Sequence, residues 1–274
     1  MQLTHASTED IPALKALWRE CFGDGEDYLD FYFRNRFVPE DTLLVRENGI
    51  PAAMLTLMNV TRNSETGFYI YAVATRPDFR KKGLQRTLSS YAEEVMRQRG
   101  GSFCCLVPAE EYLFRFYEKL GFRSGYARWE KHIEDDEFFD PVEFYPCSFR
   151  SFRELRAEYL NSIPDALVHP DRELGYIYQE LCCCGGQVLR FYEEGKLCYA
   201  AYSFGPDEIY LREQTGSDPE RVSRALMSLH GVSKAVVTSH FPFPGAEKRE
   251  WVMTKDLSDR ENTVAVGCAA LMLD

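Results

Sequence analysis

Apolar positions follow two periods along this chain. In the stretch from Ser7 to Cys21, Ile11, Leu14, Leu17 and Trp18 recur at the spacing of one helix face, and Ser7 or Thr8 stands where a cap is wanted. A second helix is expected over 26–37. Thr42 to Asn63 reads as two strands joined by a turn at Asn48-Gly49, a pair that tolerates the left-handed backbone of a tight hairpin. Thr66 to Thr75 is apolar nearly throughout, as in a strand covered on both faces. Leu84, Leu88, Tyr91 and Val95 then return to helical spacing until Gly100-Gly101 stops the run. A buried strand over 102–109, a short helix over 110–122 and a closing strand over 127–134 complete the first half.

Glu134 to Pro146 is acidic and proline-bearing, and reads as a linker. Beyond it the same order recurs. Helices over 152–161 and 172–183 precede a meander over 187–216, in which Glu194-Gly195 echoes Asn48-Gly49. A capped amphipathic helix over 218–231 and a strand over 234–241 come next. This predicts a diverged internal duplication, with domains at 1–133 and 148–274 and a linker at 134–147.

Composition narrows the class. The 274 residues are 45% hydrophobic, 14% aromatic and 27% charged, values of a folded chain with a substantial core. No apolar run is long enough to cross a bilayer, and the start lacks the basic-then-apolar order of a signal peptide, so neither a membrane partner nor a leader is expected. The net charge of −11 argues against a nucleic-acid partner. Nine cysteines, an odd number and without a C-x-x-C pair, predict reduced thiols and a cytoplasmic location. Cys182, Cys183 and Cys184 are expected in a small-residue core segment rather than in a metal or redox site. His5, His132, His169, His230 and His240 lack metal-ligand spacing, so no metal is expected.

One cluster stands against the acidic background. Arg80, Lys81 and Lys82 precede Gly83 and open a helix. A helix N-terminus presents unpaired N–H groups, and glycine permits close approach of a diphosphate. A solvated basic turn would use the same residues. The second half has no such cluster at its strand-to-helix turn, where residues 212–222 carry Asp218 and Pro219 instead, and this favours a functional role for the first. Neither the triphosphate-binding nor the dinucleotide-binding glycine pattern is present.

The run from Tyr71 to Leu88, followed by Phe116-Tyr117-Glu118-Lys119-Leu120-Gly121-Phe122, resembles the GNAT superfamily of acyl-CoA-dependent N-acyltransferases. Gln85 departs from the Gly or Ala usual there. Leu84 after the glycine, the segment from Leu106 to Glu111 and the second half resemble the Eis-like branch. The resemblance implies tandem α+β folds, each a mixed central sheet flanked by helices, with splayed strands in the N-terminal copy and a degenerate C-terminal copy. It implies acetyl-CoA as co-substrate and a small-molecule or peptide amine as acceptor, and leaves the oligomeric state open. The pantetheine arm would run between Tyr71–Thr75 and Cys104–Val107, pairing with the backbone of Val73, Ala74 and Thr75. The loop of Arg80, Lys81, Lys82, Gly83, Leu84, Gln85 and Arg86 would hold the pyrophosphate. Tyr117 matches the family's general acid, against the alternative of a packed aromatic. The base is open between Glu110, Glu111 and the C-terminal Asp274. The competing expectation is a non-catalytic acyl-CoA sensor or scaffold.

Overall fold

In this computed structural model, which describes residues 1–134, 142–258, 267–269 and 271–273, both expected hairpin turns form. Asn48 and Gly49 take φ of 50° and 80°, and Glu194 and Gly195 take 49° and 80°. Paired left-handed residues give a turn whose twist matches that of the flanking strands. A third such turn, at Asn63 (φ 48°) and Ser64 (φ 67°), joins the next pair of strands.

The chain divides into two units. The first comprises Met1–Arg123 and Met253–Thr263, the second Ser124–Val252 and Val264–Asp274. Position 133 therefore falls inside the second unit.

In the first unit, β1 (Gln2–His5), β2 (Thr42–Glu47), β3 (Ile50–Arg62) and β4 (Glu65–Thr75) pair antiparallel in that order. β5 (Phe103–Leu106) joins β4 in parallel after the crossover helix α3 (Leu84–Gln98). Met253–Asp256 pair antiparallel with the far side of β5, and this explains why the returning segment belongs to this unit. Helices α1 (Ile11–Phe22), α2 (Glu26–Asn35) and α4 (Glu111–Glu118) complete it. α3 buries Leu84, Leu88, Ala92, Val95 and Met96 against Leu55, Leu57, Phe68 and Ile70. α1 buries Leu14, Leu17 and Trp18, as its periodicity predicts.

The second unit repeats this order. β6 (Arg123–Glu134) lies chiefly in it. The end of the expected linker forms β7 (Tyr145–Pro146), a short strand pairing with β8 (Gln187–Glu193); residues 135–141 lie outside the described residues. Helices α5 (Phe149–Asn161) and α6 (Asp171–Cys183) precede the antiparallel run β8, β9 (Lys196–Phe204) and β10 (Ile209–Gln214). After α7 (Pro219–His230), β11 (Lys234–Ser239) joins β10 in parallel, as β5 joins β4. β11 pairs antiparallel with β6, and β12 (Glu247–Asp256) comes last in the chain. One apolar cluster lies between this sheet and α7, and another between it and α5 and α6.

Candidate active site

The parallel pair of the first unit comes apart. β4 and β5 are in register only at Gly67↔Phe103, Phe68↔Cys104 and Tyr69↔Cys105. β5 ends at Leu106, while β4 runs on, still paired to β3, through Thr75↔Ala53. From Ile70 onward the β5-facing edge of β4 has no pairing to β5. The register against β3 slips between Met54 and Thr56, so that β4 carries one extra residue there. Ala72, with φ 51°, is its left-handed member. A bulge of this kind twists the strand and ends regular pairing. Val73 is the other residue of the bulge, and Ala74 and Thr75 follow at the tip of β4.

The chain leaves Thr75 through Arg76-Pro77-Asp78-Phe79 and reaches α3 across two left-handed residues, Lys81 (φ 61°) and Gly83 (φ 80°). Gly83 is the N-cap of α3, and no side chain caps it. The opening N–H groups of a four-turn helix are thus offered to a ligand, together with its dipole. Lys81, Lys82 and Arg86 are exposed around them. Lys82 lies over the Phe79 ring at 4.7 Å. Arg80 folds back, its Nε donating to the Thr75 carbonyl at 3.1 Å, which fixes the loop to the end of β4. Leu84 is buried and seats the helix. Gln85 accepts from Thr75 Oγ1 at 3.3 Å, and its amide nitrogen is buried with no partner among the described residues. The loop therefore accommodates Gln85 by turning it against the end of β4.

Tyr117 lies on α4, 7% exposed, packed edge-on to Phe116 at 5.2 Å and Phe122 at 5.7 Å. Burial, with a smaller contribution from Tyr112, pushes its phenol up to about 12. It therefore stays protonated at neutral pH and can donate. Glu110 and Glu111 are exposed at the start of α4, where carboxylates also suit the helix dipole. Asp274 lies outside the described residues.

An aromatic wall on α1, α2 and β4 is not foreseen from the sequence. Trp18 stands 4.4 Å from Tyr32 and 5.9 Å from Tyr71, ring to ring, and the Tyr28 and Tyr71 hydroxyls share a hydrogen bond of 3.0 Å. Tyr69 and Tyr71 alternate with the α3-facing Phe68 and Ile70. That alternation is the available signal; the partners on α1 and α2 come from distant sequence. The acidic stretch 23–30 is largely engaged. Glu26 and Asp30 pair with Lys15, Glu26 also pairs with Arg19, and Asp24 accepts from Trp18 Nε1 at 2.7 Å.

The corresponding corner of the second unit is closed. β10 and β11 are likewise in register for three pairs, Ile209↔Ala235 to Leu211↔Val237, and β10 then bulges. There Thr238 Oγ1 donates to the Leu211 carbonyl at 2.7 Å and to that of Arg212 at 3.3 Å, bridging the strands. At α7 the Asp218 carboxylate accepts the N–H groups of Glu220 at 3.0 Å and Arg221 at 3.1 Å. The helix start is occupied by the chain's own anion.

Two other expectations meet the structure here. Cys182, Cys183 and Cys184 do not lie in a core. They are exposed, because α6 spends its buried face on Leu174, Ile177 and Leu181 and ends immediately afterwards. Glu213, His240 and Cys268 place ligand-type atoms within 4.8 Å of one another. Glu213 is already held by Arg156, at 2.9 and 3.3 Å, and by Tyr199 at 2.5 Å. That guanidinium neutralises the carboxylate and opposes a cation at the same place.

Residues 2–125 match the family model of the acetyltransferase (GNAT) domain. No curated protein matches the chain. Among solved structures, a GCN5-related N-acetyltransferase from Anabaena variabilis is 15% identical with a TM-score of 0.74, over 94% of this chain and 73% of that one. One from Kribbella flavida is 16% identical with a TM-score of 0.71, over 93% and 72%. Eis1 from Mycobacterium abscessus is 9% identical with a TM-score of 0.66, over 94% and 74%. At these identities the likeness is one of fold.

Proposed function

From the match of residues 2–125 to the acetyltransferase (GNAT) domain, we propose that this chain transfers an acetyl group from acetyl-CoA to a primary amine of a small molecule or peptide. The observation that carries the reading is the conjunction at one corner of a split sheet and an uncapped helix start. Past its last pairing with β5, the edge of β4 at Val73 and Ala74 offers strand-like hydrogen bonds to the pantetheine amides, and Thr75, whose carbonyl is held by Arg80 Nε, ends that edge beside the loop. The amides opening α3, flanked by Arg80, Lys81, Lys82, Gly83, Leu84, Gln85 and Arg86, offer donors and positive charge to the pyrophosphate.

The chemistry is attack of a neutral amine on the thioester carbon. The acceptor's ammonium, with an ordinary value near 10, first sheds a proton, for which Glu110 or the terminal Asp274 is the proposed base. A backbone N–H near Val73 stabilises the tetrahedral oxyanion. The C–S bond then breaks, Tyr117 donates its proton to the departing thiolate, and the second proton on the attacking nitrogen leaves, by way of solvent, to restore the tyrosine and give the neutral amide. Tyr28 and Tyr71, partly exposed over the buried Trp18, offer the acceptor an aromatic, cation-tolerant surface. A non-catalytic acyl-CoA binder is the second reading, favoured by the exposure of Glu110.

Release of free thiol from acetyl-CoA, followed with polyamines, aminoglycosides and lysine peptides, tests the proposal. Turnover with at least one acceptor, lost in Tyr117→Phe, supports it. CoA binding without thiol release for any acceptor supports the binder.

A further inference from the structure

Residues 76–83 connect the end of β4 to the opening of α3, the two halves of the proposed CoA site. A loop of this length does not by itself hold its ends at one separation. Here side chains fix it, and they meet at Thr75. Its carbonyl accepts from Arg80 Nε at 3.1 Å and from the Cys21 thiol at 3.4 Å, and Arg80 Nη2 donates to the same sulfur at 3.8 Å. Its hydroxyl donates at 3.3 Å to Oε1 of Gln85, in the first turn of α3.

Each end of this clasp is rooted in the core. Cys21 stands in the last turn of α1, just before the left-handed Gly23 that ends the helix, and α1 is anchored by Leu14, Leu17 and Trp18. Gln85 follows the buried Leu84. A carbonyl oxygen has two lone pairs, and the Arg80 and Cys21 donors take both. The Thr75 carbonyl is therefore satisfied within the protein, and its bonds join strand, loop and helix into one frame.

We propose that Cys21 and the Thr75 hydroxyl are positioning groups for CoA. Acting through Arg80 and Gln85, they hold the edge of β4 and the amides opening α3 at the one separation that a single CoA molecule bridges. The inference rests on the acyl-CoA reading. A ligand that spans two subsites gains from their being fixed in place, whereas a ligand confined to one subsite does not.

The test compares CoA with ADP, which carries a diphosphate and lacks the pantetheine arm, by calorimetry on the full chain. In the double variant Cys21→Ala/Thr75→Val the expected result is a Kd for CoA raised about fivefold or more, with the Kd for ADP within about twofold of that of the unaltered protein. Valine keeps the branched shape of threonine, so Thr75→Val alone serves where the double variant fails to fold, with a rise of about threefold for CoA and the same indifference for ADP. Equal weakening of CoA and ADP overturns the proposal, because a general loosening or a lost phosphate contact does that. An unchanged Kd for CoA overturns it, as does failure of ADP to bind the unaltered protein at millimolar concentration, since the α3 half then does not stand ready by itself. Failure of CoA to bind the unaltered protein overturns the acyl-CoA reading, and the inference with it, which sets that failure apart from the others.

Discussion

Thr238 Oγ1 donates to the Leu211 carbonyl at 2.7 Å, and this bond bridges in the second unit the strand split that the first unit leaves open beyond Tyr69 and Cys105. Both copies have the bulge and the three-pair register. Past the bulge they diverge: the second unit has a side-chain bridge and an Asp218 cap, the first an open edge and a Gly83 cap. The expected consequence is one CoA per chain. Calorimetric titration gives a stoichiometry of one, and two equivalent sites would contradict the contrast.

Arg80 and Lys82 sit on an exposed loop, so replacing both by alanine spares the fold and weakens CoA binding. Charge-assisted contacts to a phosphate contribute more than ordinary hydrogen bonds, but exposure screens them. The expected loss is about 1–2 kcal/mol, roughly 5- to 30-fold in Kd, and it shrinks as salt is raised. Unchanged affinity at low salt would count against the loop.

Tyr117→Phe removes one hydroxyl from a packed ring. Loss of a general acid lowers kcat by on the order of 10²- to 10⁴-fold, with KM for acetyl-CoA little changed. Because burial holds the Tyr117 phenol up at about 12, its loss of the proton should not produce an alkaline fall in rate below that pH. An alkaline limb near pH 9 that vanishes in Tyr117→Phe would contradict this environment.

Acid should destabilise the protein through two histidines. His169, 3% exposed, is driven down to about 3 by burial and then by the Arg156 charge. His240 is driven down to about 4 by burial, with Arg156 adding to the shift and Glu213 opposing it. Both are neutral when folded at pH 5, whereas in the unfolded chain they take up protons near 6.5. The folded pKa values lie below the unfolded ones, so the unfolded state binds more protons in between. Stability present above about pH 6.5 is therefore lost as pH falls toward 4, by on the order of 2 kcal/mol per histidine at pH 5. Thermal unfolding at pH 7 and pH 5 checks this. The midpoint drops by several degrees, and His169→Phe narrows the drop.

Much of this is legible in the chain because it is local. The hairpin at Asn48-Gly49, the α3 face of Leu84, Leu88 and Val95, and the cation cluster against Gly83 are each fixed by neighbours within a few residues. The internal repeat is legible for the same reason, since each copy restates its turns and periods. The hidden features depend on residues far apart in sequence. Nothing around Tyr71 announces that Trp18 and Tyr28 meet it, and nothing around Thr238 announces a bond to Leu211. The cysteines at 182–184 mislead because their small apolar character suggests burial, while position decides it, and they fall past the last core residue of α6.

The central claim is that acyl-CoA lies along the free edge of β4 and ends on the amides that open α3. A crystal structure of the full chain grown with CoA tests it most directly. The account predicts density for the pantetheine arm beside Val73–Thr75 and for the pyrophosphate over Lys81–Arg86. Density for CoA elsewhere on the chain, or a β4–β5 split that excludes it, would contradict the account.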